Sequence, residues 1–450
     1  MENKKIKVGF VSLGCSKNLT DTETMLARLN KDGFEITPDE TEADVVVINT
    51  CGFIESAKRE SIDSILDIAW LKKHGKLKAI VVTGCLAERY REQITEEFPE
   101  VDAVLGVGSC GKITDAVEAA VKGKKFTDFG DKNASPLGGD RILTTPEYTA
   151  YLKIAEGCDN RCTYCAIPLI RGKFRSRPMD DIVKEAKELE TLGVKELNLI
   201  AQDTTRYGLD LYGRYALAGL VKRISAETEG IRWIRLLYCY PDKITDELID
   251  EIKNDPKVVK YIDIPIQHIS DGVLKRMNRH GDSSLIKDTV KRLKAAVPDI
   301  ILRTTVMVGF PGESERDFEE LCGFIKETKF ERLGAFTFSC EEGTPAAEME
   351  DDVPAQVKQD RYDAVMSLQM NITEARNQAQ IGRTVTVLCE DYDVAAETYY
   401  GRSAADAPDI DTKIYFSAKT KKRIRPGTFV EVKITGAVDY DLVGEAIINA

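Results

Sequence analysis

Tyr151-Leu152-Lys153-Ile154-Ala155-Glu156-Gly157-Cys158-Asp159-Asn160-Arg161-Cys162-Thr163-Tyr164-Cys165 leads a short apolar run straight into three cysteines. The spacing is Cys, three residues, Cys, two residues, Cys. Thiolates this close can hold three irons of a cubane cluster and leave the fourth iron open to a small molecule. The competing assignment is a zinc knuckle. Closed zinc sites usually take four ligands as two pairs, and no fourth Cys or His lies nearby. Working outward, the strand at 151–155 is the first of six, with others at 196–201, 233–238, 261–265, 302–308 and 334–338. Helical patterns lie between them, for example at 180–191 and 314–328. Six β/α units predict a parallel barrel or a partial one, with the cysteines at the face where barrels hold active sites.

Upstream, Cys15, Cys51 and Cys85 each follow a short, β-branched apolar run, at 8–14, 45–50 and 80–84. Unbroken runs of this kind read as buried parallel strands. Helical patterns follow near 21–31, 55–73 and 87–97, and a further strand is expected at 103–107. This predicts an open α/β sheet with all three thiols just past its carboxyl edge, where such sheets bind ligands. Buried cysteine is common in cores, but three placements of this kind favour a second three-cysteine iron–sulfur site. A polar Gly/Pro-containing stretch, 124–146, reads as a linker between domains at 1–123 and 147–376. After a long helical pattern at 357–376, segment 377–450 holds short strands at 384–389, 398–402, 413–416, 429–434 and 442–447. These predict a small antiparallel β-barrel. The fold class is therefore α/β with a β-barrel appended.

The chain has 450 residues, a net charge of −12 and 11 cysteines. The charge argues against a broad nucleic-acid surface and suits a basic protein partner. No apolar stretch is long enough to span a bilayer, and Met1-Glu2-Asn3-Lys4-Lys5 shows no secretory signal. A cytoplasmic, reducing setting is expected, with cysteines used for metal or redox chemistry.

Together these parts resemble the methylthiotransferases, a family of radical S-adenosylmethionine enzymes, over essentially the whole chain. Its members join a three-cysteine domain, a radical domain and a C-terminal barrel called TRAM. Ser12-Leu13-Gly14-Cys15-Ser16-Lys17-Asn18 is similar to the branch that modifies ribosomal small-subunit protein twelve, although that branch usually has Pro at the position of Ser16. The transfer-RNA branches more often carry Gly-Cys-Gln-Met-Asn or Gly-Cys-Lys-Val-Asn there. Ala201-Gln202-Asp203-Thr204-Thr205, Tyr261 through His268, and Gly401 through Pro408 also match the ribosomal branch.

The resemblance implies two 4Fe–4S clusters, one on Cys15, Cys51 and Cys85 and one on Cys158, Cys162 and Cys165. It implies S-adenosylmethionine as both methyl donor and radical source. A deoxyadenosyl radical would take hydrogen from the β-carbon of an aspartate, which would then receive a methylthio group through the N-terminal cluster. Such a C–H bond offers no acidic proton to a general base, so no catalytic side chain is expected beyond the cluster ligands. An electron donor such as flavodoxin or ferredoxin is implied. Transfer RNA is the alternative substrate; a non-catalytic iron–sulfur protein that binds RNA or the ribosome is the alternative from another class.

Tyr164, Gln202, Gly309 and Glu313 are the expected cofactor contacts, weighed against packing, capping and turn roles. Arg171, Arg175 and Arg177 suit a carboxylate or a solvated face equally. His74 and His280 read as surface residues, and His268 lies near the site with no motif that demands a base. Cys110, Cys239, Cys322, Cys340 and Cys389 show no ligand spacing and read as packing residues. The basic tract from Lys419 to Arg425 reads as a solvated loop rather than an RNA contact.

Overall fold

The structure, a computed structural model, describes residues 5–419 and 422–447. Met1 to Lys4, and Thr420 and Lys421 of the basic tract, lie outside the described residues. Strands β1 (Lys7–Ser12), β2 (Glu35–Thr37), β3 (Val45–Thr50), β4 (Ala79–Gly84), β5 (Ala103–Leu105) and β6 (Phe126–Asp128) form one parallel sheet in the order β2-β1-β3-β4-β5-β6. Side chains alternate faces along a strand. Val45, Val47 and Val81 therefore pack with Met25 and Leu29 on one side, while Val46, Ile48, Ile80 and Val82 pack with Ile65 and Ile68 on the other. Both faces are covered, which is why these strands are apolar at nearly every position.

Two three-residue edge strands, β2 and β6, were not expected, and β6 lies inside the stretch read as linker. Each is too short to show a period, and pairing to a neighbour defines it. The helical pattern at 87–97 is broken at Arg91, whose φ is 42°, into Cys85–Tyr90 and Glu92–Glu97.

The central sheet contains β7 (Thr149–Lys153), β10 (Glu196–Ile200), β11 (Trp233–Leu236), β12 (Val258–Asp263), β13 (Ile301–Val308) and β14 (Arg332–Thr337), in that order and all parallel. It stays open, a partial six-unit barrel. Between β7 and β10, the short antiparallel pair β8 (Ala155–Glu156) and β9 (Arg175–Ser176) clamps the base of the cysteine loop. The helix Ala355–Gln378 packs on β14 and leads into the last domain.

There β15 (Thr384–Asp393), β16 (Thr398–Ser403), β17 (Ile414–Ser417), β18 (Phe429–Val438) and β19 (Asp441–Ala446) close into a barrel in the order β15-β16-β17-β19-β18. The expected antiparallel barrel is mixed, because β17 and β19 pair in parallel. An odd number of strands cannot alternate direction all the way round a closed ring. Glu196 is fully buried between Arg235 at 3.0 Å and Arg402 of the terminal barrel at 2.7 Å, which ties the two domains together.

Candidate active site

β1, β3 and β4 are neighbours in their sheet, so the residues after them converge on one edge. Cys15 caps the helix Ser16–Lys31, Cys51 follows β3, and Cys85 opens the helix Cys85–Tyr90. Gly14, at φ 88°, makes the approach possible: a Cβ there would stand 2.9 Å from Cys51 Sγ. Cys15 is exposed; Cys51 and Cys85 are buried. The protein crowded around Cys15 opposes its ionisation, but Lys17, Arg171 and the backbone N–H groups of Asn18 and Lys17 outweigh it and lower its pKa. Burial raises Cys51, and pushes Cys85 up to about 12 against the pull of Arg171, with Cys15 and Cys51 adding to the rise. The three thiols thus sense one another.

The radical-type triplet lies on the loop between β8 and β9. Gly157, at φ 79°, turns that loop where a Cβ would stand 2.1 Å from the Lys173 carbonyl oxygen. The Cys158 N–H donates to Gly172 O at 3.1 Å, and the Cys165 N–H to Cys162 O at 3.0 Å. A buried trio fixes the loop on the strand ends. Asn160 Nδ2 donates to Asp203 Oδ2 at 2.7 Å, and Lys243 Nζ donates to Asp203 at 2.9 Å and to Asn160 Oδ1 at 3.0 Å. Arg279 donates to Cys162 Sγ at 3.8 Å and stacks 4.2 Å over the Tyr240 ring. Burial pushes the Cys158 thiol up to about 11 and raises Cys165 as well.

The donor sets fit iron clusters. Each offers three thiols and no fourth ligand, and metal binding would deprotonate them.

Arg171 links the N-terminal triplet to the base of the radical loop. Following Cys165 in the chain, it reaches back to Cys85 Sγ at 3.3 Å, Asn18 Oδ1 at 2.9 Å, Asp21 at 2.6 Å and Glu156 at 3.3 Å. Glu156 in turn accepts from Lys153 at 2.9 Å and from Gln202 Nε2 at 2.6 Å. Cys85 packs with Ala166 and Ile170, just past Cys165. The two triplets therefore share one wall.

The other expected contacts divide. Tyr164 packs against Phe310, Phe338 and Met277 beside the radical triplet. Gln202 points its amide nitrogen at Glu156, while its oxygen is buried without a partner. A Cβ on Gly309 would stand 2.2 Å from Lys358 Cγ. Glu313 is taken up by Arg361 at 2.9 Å and the Phe310 N–H at 3.1 Å. Arg171 is buried rather than solvated; Arg175 holds the carbonyls of Ser135 and Lys132, and Arg177 pairs with Glu185. His268 is buried, accepts from the Ser270 N–H at 3.0 Å, and is held neutral by burial, which lowers it to about 4. Sequence reasoning missed Arg279, Tyr240 and Lys243 at the site. They sit in loops after other strands, and no spacing marks them.

Among the described residues, no helix is long and apolar enough to cross a membrane. Residues 7–106 match the uncharacterized protein family UPF0004, residues 152–325 the radical SAM superfamily, and residues 381–447 the TRAM domain. The chain is 51% identical to the ribosomal protein uS12 methylthiotransferase RimO of Thermoanaerobacter sp. (strain X514), covering 97% of this chain and 99% of that protein. It is 49% identical to the protein of the same name from Geobacter sulfurreducens, covering 99% and 100%. In fold it is similar to the radical S-adenosylmethionine methyltransferase TsrM from Kitasatospora setae with cobalamin and a [4Fe-4S] cluster bound. The TM-score is 0.54 at 14% identity, covering 76% of this chain and 77% of that one. With identity near one half sustained along its whole length, the chain belongs to the RimO family of ribosomal protein uS12 methylthiotransferases.

Proposed function

We infer that this protein methylthiolates ribosomal protein uS12 by radical S-adenosylmethionine chemistry, on the β-carbon of an aspartate. What supports the reading is that Arg171 reaches from Cys85 of one candidate triplet to Glu156 at the base of the loop that carries the other. Cys158, Cys162 and Cys165 would hold one 4Fe–4S cluster, and Cys15, Cys51 and Cys85 the other. When bound, the first supplies an electron that turns S-adenosylmethionine into a hydrogen-abstracting radical, and the second presents the sulfur to be methylated and transferred. A reductant such as flavodoxin or ferredoxin would supply the electron.

The chain's own residues do the placing. Asn160, Asp203 and Lys243 fix the radical loop against the strand ends. Tyr164 and Gln202 flank it, where we place the adenine and the methionine end of the cofactor. Gly309 and Glu313 would act less directly, by shaping the loop after β13. Cys158 and Cys162 are buried, which would keep water from reactive species at the radical triplet, while Cys15 leaves the N-terminal triplet open to solvent on one side. We divide the chain at 1–123, 124–146, 147–376 and 377–450, with β6 of the second segment completing the N-terminal sheet and the last being the TRAM barrel, and we place the enzyme in the cytoplasm with its ribosomal substrate.

The test supplies reconstituted enzyme with uS12 and, separately, with unmodified transfer RNA, and measures mass. A methylthio increase on an aspartate of uS12 is expected. An increase on the RNA alone would overturn the substrate and leave the chemistry standing.

A further inference from the structure

Each cysteine triplet has one thiol that receives a buried guanidinium from outside its own run. Arg171 is 2% exposed and donates from Nη2 to Cys85 Sγ and Asn18, and from Nη1 to Asp21 and Glu156. Arg279 is 9% exposed and donates to Cys162 Sγ, with its other nitrogen on Pro265 O at 2.6 Å and its plane on Tyr240. Among the described residues these are the two guanidinium contacts to the six thiols. Both are over-determined: each arginine is locked by further partners, so neither reaches its sulfur by chance of rotamer.

A cluster gains negative charge when reduced. A fixed cation and an N–H donor on its sulfur favour that form and raise the reduction potential. Burial strengthens the effect, because the field is poorly screened. Arg171 adds a second consequence. It belongs to the radical domain but acts on a thiol of the N-terminal domain, so its contribution is present only while the two are docked.

We propose that Arg171 and Arg279 are positioning residues that set the reduction potentials of the N-terminal and radical clusters respectively. The radical domain thereby tunes the sulfur-carrying site that packs against it. This rests on the six-cysteine reading above.

The test uses two full-length parents reconstituted anaerobically: C158A/C162A/C165A, keeping the N-terminal cluster, and C15A/C51A/C85A, keeping the radical cluster. Iron content and midpoint potential, by spectroscopically monitored redox titration, are read in each. Arg171→Gln is expected to shift the N-terminal midpoint downward, Arg171→Lys to shift it less, and neither to move the radical cluster. Arg279→Gln is expected to do the reverse. Should Arg171→Gln empty the N-terminal site, Arg171→Lys decides. Retained iron at a lowered midpoint supports the inference, and iron lost in both variants assigns Arg171 to the fold alone. Loaded parents whose midpoints stay put, or shift together, overturn the inference by itself. A parent that binds no iron sinks the six-cysteine reading and this inference with it.

Discussion

Cys51 and Cys162 lie in separate domains, so one thiol can be removed without touching the other site. Cys162→Ala is expected to abolish deoxyadenosine formation, which chromatography of the reaction mixture reads directly. Cys51→Ala is expected to keep part of that activity and to yield no methylthiolated uS12. Wild-type yield from the Cys51 variant would mean that the N-terminal site is not the sulfur source. His268 gives a pH test at the same scale. Burial lowers its folded pKa to about 4, helped by Arg276 and Arg361 and opposed by Asp317, with Glu313 facing it at 3.9 Å. The unfolded chain takes up the imidazole proton near pH 6.5 and the folded chain does not. Stability is therefore full above that pH and falls as pH drops toward about 4, by at most roughly 3 kcal/mol. In His268→Gln, denaturant titrations between those pH values should show a flatter loss than in the parent. An equal slope would show that other groups carry the acid sensitivity.

At the scale of elements, the joint between β10, β11 and β16 is the most exposed to a single change. Burial alone would raise the carboxyl of Glu196, but Arg402 and Arg235 override it and hold it down at about 2. A carboxylate so depressed contributes its stability above pH of about 4.3 and loses it as pH falls toward 2. Arg402→Met leaves Glu196 buried with Arg235 as its one remaining cation, beside the Thr149 hydroxyl at 3.0 Å. The expected cost is about 3 kcal/mol, the range for breaking a buried pair. It is read as a lower urea midpoint, with acid unfolding beginning at higher pH. A change below about 0.5 kcal/mol, typical of surface sites, would show that the joint carries little. The same element shows where the motifs quoted from the sequence went. Arg402 and Asp406 of the Gly401–Pro408 stretch are spent on docking the barrel, to Glu196 and to Arg332 at 2.5 Å, rather than displayed to a partner.

For the whole molecule, two independent cysteine sites predict about eight irons per chain after anaerobic reconstitution. The variant lacking Cys158, Cys162 and Cys165 should keep about half of them, and loss of all iron would contradict independent sites. The docked barrel changes one expectation. From the strand pattern alone, truncation near Asn377 would cost only substrate capture. With Glu196 and Arg332 paired into the barrel, it should also lower the melting temperature of the remainder. Much of this architecture was legible beforehand, because its causes are local. Apolar runs bounded by glycine mark β1, β3 and β4, and the triplet spacing of Cys158, Cys162 and Cys165 states its chemistry within eight residues. Cys15, Cys51 and Cys85 could be brought together on paper, since parallel strands all end at one edge. The short edge strands β2 and β6, the parallel closure of β17 on β19, and the reach of Arg171 and Arg279 to distant sulfurs could not. These depend on which surfaces meet once the domains pack, and a long, flexible guanidinium carries no period or spacing that announces its partner. The sequence by itself determined the order of three α/β and β-barrel units and marked six cysteines as candidates; the tertiary structure alone decided that Cys85 packs against Ala166 and Ile170 and takes Arg171 on its sulfur, because that contact joins residues whose separation along the chain encodes nothing about their separation in space.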